Sequence, residues 1–188
     1  MINYSLPTTM ALGDKEFSIR SDYRAILDIM AAMNDVDLTN EERAAVALEI
    51  FYPEYDKIPS EYLKEAIEKC YEFIDGGERR EGNAPPVVSW EQDFQYIIAP
   101  INAVAGYEVR SVDYLHWWTF LSYYMEIDGE CTFAQIVNIR DKKARGKKLE
   151  KYEREWYERN RSIVDKKTQY TEEELQLLEL WGGHNDQR

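Results

Sequence analysis

Only a few side chains in this sequence could do covalent or metal chemistry. There are two histidines, His116 and His184, and two cysteines, Cys70 and Cys131. His116 lies in the aromatic stretch from Val112 to Glu126, which reads as helical. On such a helix Asp113 falls three residues before it and could orient the imidazole for general acid–base work. A packed histidine bonded to Asp113 accounts for the same spacing and is the favoured reading. His184 stands near Asp186 without a metal-ligand set, and the widely separated cysteines lack a CxxC spacing, which favours free thiols in a reducing cytosol. The carboxylate groups Glu91/Asp93 and Glu172/Glu173/Glu174 point apart around a helix, and acidic first turns complement the helix dipole. No phosphate-binding glycine loop, nucleophile elbow or H-E-x-x-H motif occurs. The residues therefore favour a non-catalytic protein without cofactor or metal, and an enzyme using His116 is the remote alternative.

Binding is better supported than catalysis. The chain of 188 residues holds 14 Tyr and 5 Trp, and aromatic residues are enriched at interfaces. Trp90, Trp117, Trp118, Tyr123 and Tyr124 fall within two helical segments. Adjacent helical positions diverge by about 100°, so Trp117 and Trp118 should not both face the core. The expected partner surface is Trp117, Trp118, Tyr123 and Tyr124, with the region around Trp156 second. The formal net charge of -13 argues against general nucleic-acid binding and against adhesion to an anionic membrane. The charge is uneven, however. Residues 140–167 carry twelve basic and six acidic side chains, a net of +6, so the remainder carries -19. The two regions could dock on each other or on a neighbouring copy, and such self-association would weaken with salt. The basic run from Lys142 to Lys148 contains no aromatic residue and reads as a solvated or docking face rather than a nucleic-acid site.

The elements that must position these residues are mostly helices. The predicted fold is mainly α: an irregular helical bundle with a small N-terminal β-hairpin. Gly13-Asp14 supplies a two-residue turn between Thr8–Leu12 and Lys15–Ile19. Ser21 or Asp22 caps a helix from Tyr23 to about Met33. Thr39 and Glu42 form a capping box for a helix from about Asn40 to Phe51. Ser60 is expected to cap a third helix ending at Gly76-Gly77. Ser89 with Gln92 opens a fourth, in which Pro100 should cause a kink or break. Ser111 is expected to cap the helix Val112–Glu126, and Thr132 with Gln135 to open a short helix through about Arg140. Residues 1–140 form the expected core domain, with a mobile or extended linker at about 76–88. Residues 141–188 form a charged helical arm and tail, including a solvated helix over 148–163 and a last helix over 172–181, followed by a disordered end. The start has no charged, apolar leader pattern, and no window approaches about 18 uninterrupted apolar residues.

Several strings carry a family likeness: Trp90 through Ala99 (WEQDFQYIIA), Gly106 through Val109 (GYEV), Leu115 through Phe120 (LHWWTF), and Phe133 through Arg140 (FAQIVNIR). Together with the helix start Ser21-Asp22-Tyr23-Arg24, they resemble the bacteriophage "gene product fifteen" family, found in long-tailed phages and prophages of Gram-positive bacteria. The likeness runs from about Thr9 to Arg145. It implies a helical protein whose gene lies between those of the major tail protein and the tape measure protein. From that position it further implies a tail assembly chaperone that binds the tape measure protein in the host cytoplasm and is absent from the mature virion. A structural or completion component of the tail is the alternative. The resemblance carries no site residues. The family often has an aromatic residue where this chain has Pro100-Ile101.

Overall fold

The computed structural model describes residues 5–77, 86–167 and 171. Strands β1 (Thr9–Leu12) and β2 (Lys15–Ser18) pair antiparallel, with Met10 opposite Phe17. Gly13 turns between them at φ +55°, and a Cβ there would lie 2.6 Å from the Tyr62 ring, so glycine is required twice over. Seven helices follow among the described residues: α1 (Tyr23–Asn34), α2 (Asn40–Phe51), α3 (Leu63–Ile74), α4 (Trp90–Ala105), α5 (Trp117–Met125), α6 (Thr132–Ala144) and α7 (Lys151–Val164). The fold is mainly α with one hairpin, as the sequence predicts.

Local signals set several boundaries. Asp22 accepts a bond from the Arg24 N–H at 3.0 Å and caps α1. Both halves of the Thr39–Glu42 box are formed at α2. Gly106 ends α4 in the left-handed region at φ +78°. Tertiary contacts move other boundaries. Ser60 does not cap α3: Pro59 begins a tight 3-10 turn over Ser60–Tyr62, which delays the helix to Leu63. At α4 the reciprocal partner of Ser89 is Asp93, not Gln92, and the Ser89 N–H donates to its carboxylate at 2.8 Å. Pro100 does not break α4, which runs through it to Ala105. Cys131 rather than Thr132 caps α6: its Sγ accepts from Ala134 N–H at 3.4 Å, and α6 extends to Ala144, across the boundary expected at 140/141.

The main core joins β1, β2 and α1–α5 around Tyr23, Phe51, Phe73, Ile97, Trp117 and Phe120. A second, smaller core joins α6 and α7 through Ile136, Ile139, Tyr157 and Val164. The helix expected to be solvated, α7, therefore buries one face, because Tyr157, Val164 and the aliphatic stem of Glu153 fall at helical spacing. The expected helix over 172–181, the tail beyond it, and residues 78–85 of the expected linker lie outside the described residues.

Cys70 is buried in the main core, whereas Cys131 is half-buried, and both are free thiols. Burial pushes the Cys70 thiol up to about 12. Reactivity follows the thiolate. Titration of the folded protein with a thiol reagent at pH 8 is expected to modify Cys131 and spare Cys70, with both modified after unfolding. Equal rates for the two in the folded state would contradict this packing.

Candidate partner-docking cleft

The helix α5 begins at Trp117, and the chain before it is extended, not helical. Ser111 belongs to a 3-10 turn over Val109–Ser111 and does not cap α5. The reason is non-local. Residues 115–117 pair with the start of α1: Tyr23 N–H donates to Leu115 O at 2.9 Å and Trp117 N–H to Ser21 O at 2.7 Å. The Asp22 carboxylate also accepts from Leu115 N–H at 2.9 Å, and the Arg24 guanidinium donates to Val112 O at 2.7 Å. The Ser-Asp-Tyr-Arg string and the Leu-His-Trp-Trp string, 93 residues apart, are thus two halves of one junction.

His116 is the N-cap of α5. Its Nδ1 accepts from Trp118 N–H at 3.0 Å, which assigns the ring proton to Nε2, and Nε2 donates to Pro7 O at 3.0 Å. The ring is 3% exposed and edges against Phe73 and Trp118. Both nitrogens hold backbone, and Asp113, expected as its helical neighbour, lies in a bend before the helix. A capped helix start and a joined N-terminus account for this histidine.

The aromatic residues expected to face a partner are mostly used inside the molecule. Trp117 is fully buried and its indole N–H donates to Ile74 O at 2.9 Å. Trp118, half-buried, donates to Phe73 O at 2.8 Å and stacks on the Phe73 ring. The two indoles do point to different surroundings, but both satisfy carbonyls at the C-terminus of α3. Gly77, at φ +90°, lets Trp118 approach: a Cβ there would lie 3.1 Å from the indole. Tyr124 is half-buried against Trp90, with ring centroids 4.9 Å apart, and Tyr123 is half-buried beside Tyr107.

Trp156 is placed differently. It is half-buried on α7 and lines a cleft of about 380 Å³ between α6 and α7, together with Gln135, Asn138, Ile139, Tyr152 and Glu153. Tyr152 forms one wall and is 70% exposed, the most exposed large hydrophobic side chain among the described residues. Tyr152 and Trp156 are four residues apart and share one helical face. The sequence points to the region around Trp156 but not to Tyr152 itself. Its i, i+4 relation to Trp156 was the available signal.

A buried carboxylate in this cleft ties α6 to α7. Glu153 is buried and accepts from Asn138 Nδ2 at 2.9 Å and from Lys142 Nζ at 2.5 Å. The Lys142 ammonium, above all, holds the Glu153 carboxyl below the usual carboxylate range. A carboxyl depressed in the folded state contributes stability above its unfolded value, 4.5, and loses it as pH falls through the folded value. The docking of α7 is expected to loosen below pH 4.5. Glu153→Gln should remove that component of the acid dependence, as read by amide exchange in α7 at pH 7 and pH 3.

Beneath both helices lies a buried ion pair that the sequence did not reveal. Asp93 on α4 is 0% exposed and Arg140 on α6 is 6% exposed. Arg140 Nη1 and Nη2 donate to the two Asp93 oxygens at 2.6 and 3.0 Å. The same guanidinium donates to Val164 O at 2.5 Å, Ile163 O at 3.1 Å and Val87 O at 3.0 Å. One side chain thus satisfies the C-terminal carbonyls of α7 and ties α7, α4 and residues 86–89 together.

The sequence profile described as Bacteriophage Gp15 protein matches residues 2–165. The chain belongs to the bacteriophage Gp15 protein family. The match takes in both halves of the α1–α5 junction, the Asp93–Arg140 pair, and all of α7, including Tyr152 and Trp156. Membership makes this a bacteriophage protein and supports a structural or tail-region protein as the coarse functional class. No curated protein and no solved structure matches the chain.

Proposed function

We propose that this chain is a non-catalytic tail assembly protein, chaperone-like, that binds the tape measure protein in the host cytoplasm and leaves before the virion matures. The observation that carries the reading is the α6–α7 cleft. It sets an exposed tyrosine and a half-buried tryptophan on two packed helices, while Tyr23, Phe73, Trp117 and Phe120 are held in the core. A long apolar helix needs weak, repeated aromatic contacts that keep it soluble and release it without chemistry. A highly charged body supplies the solubility, and family membership supplies the phage setting. His116 has no part in this function.

Coexpression tests it. The tape measure protein of the same phage is expected to become soluble when this chain is made with it, and purified virions are expected to lack the chain. Stoichiometric presence in washed virions would overturn the chaperone reading in favour of a structural or completion component of the tail.

A further inference from the structure

A second pocket lies on the other side of Arg140. It measures about 220 Å³ and is lined by Pro86, Val87, Ala144 and Val164, with Lys143, Asp165 and Lys166 at its rim. The lining combines four apolar residues with three cations, Arg140, Lys143 and Lys166, and one acid, Asp165. Lys143 is engaged: it donates to Asp165 at 2.6 Å and to the Tyr157 hydroxyl at 2.7 Å. Lys166 has only carbonyl partners, Pro86 O and Val88 O, and forms no ion pair among the described residues. Burial, and then the neighbouring Arg140, push the Lys166 ammonium below its usual range. A carboxylate brought to this rim would relieve that cost.

The chain itself carries a segment of the complementary chemistry close by. Residues 172–181 read Glu-Glu-Glu-Leu-Gln-Leu-Leu-Glu-Leu-Trp: four acids, no base, four leucines and a tryptophan. Four residues separate Lys167 from Glu172, a reach of about 17 Å. The pocket rim includes Lys166 itself, so the tether is long enough. A tether this short gives an effective concentration of about millimolar, well above that of a second copy at micromolar protein. Left exposed, this stretch would form an apolar patch on the charged body.

We propose that the acidic, leucine-rich segment Glu172–Trp181 docks on the Pro86–Val87–Ala144–Val164 pocket of its own chain, with its carboxylates facing Lys166. The segment then covers the junction made by Arg140 and adds to the hold on α7. Hydrogen exchange of the full-length chain at 1 and 50 µM tests this. Amides 175–181 are expected to exchange at least tenfold more slowly than an unstructured chain of the same sequence, equally at both concentrations. Lys166→Glu and, separately, Leu178→Asp should each cut that protection at least tenfold while amides 151–164 of α7 stay protected in both. Exchange at the unstructured rate would overturn the proposal. So would protection seen only at 50 µM, which would assign the pocket to a second copy, and so would protection unchanged in both variants.

Discussion

Arg140→Leu is expected to lower the stability of this protein by about 3–5 kcal/mol, the cost of leaving one member of a buried ion pair without its partner. Asp93 would keep its 0% exposure with the Ser89 N–H as its remaining hydrogen-bond donor among the described residues. The Val164 carbonyl would also lose its Arg140 donor, and the Ile163 carbonyl would keep the longer bond from Gln92 Nε2 at 3.4 Å. The effect should be regional: amide exchange should rise most in α7 and the second core, and less in α1–α3. The pair itself need not favour folding over an apolar pair, because burying two charges is costly. Asp93→Leu combined with Arg140→Leu is therefore expected to be less destabilised than Arg140→Leu alone. Chemical denaturation of the three proteins measures both effects. Equal unfolding midpoints for Arg140→Leu and the parent would show that the pair does not hold α7.

Trp117→Ala is expected to cost about 3–5 kcal/mol. The indole is fully buried, stacks on Phe120 at 5.7 Å, meets Trp90 edge-on, and caps α3 through Ile74 O. Its removal opens a cavity between α3, α4 and α5 and leaves a carbonyl unpaired. Trp117→Phe should lose less, since the ring contacts remain and only the hydrogen bond and part of the volume go. Thermal unfolding of the two variants distinguishes these terms. An alanine variant as stable as the parent would contradict the placement of Trp117 at the centre of the core.

These two residues also mark where the sequence could be read and where it could not. The hairpin turn at Gly13, the Thr39–Glu42 box and the glycine stop at Gly106 are local rules, and each is formed. The capping reading failed at Ser111 because a partner 93 residues away in sequence, Asp22, holds Leu115 in an extended pairing. Asp93 and Arg140 are 47 residues apart, and no periodicity joins them. Arg140 opens the basic stretch 140–167 at the edge of the expected core domain, and it is the link that docks the arm. The aromatic residues were recognised as important without the means to sort them. Whether an indole faces a partner or a helix end depends on where α3 stops, and only the packed structure fixes that. Trp156 stands on a charged helix with few apolar positions, and with Tyr152 it lines the α6–α7 cleft.

On the proposed function, the tape measure protein binds in the α6–α7 cleft. The direct measurement is a binding titration of a tape measure fragment against the full-length parent and against Tyr152→Ser and Trp156→Ala. Tyr152 is 70% exposed, so its replacement should leave the unfolding temperature unchanged. Truncating a central aromatic contact typically costs about 2 kcal/mol or more, so each variant is expected to bind at least tenfold more weakly. Undiminished affinity in both variants, with the fold intact, would contradict the account.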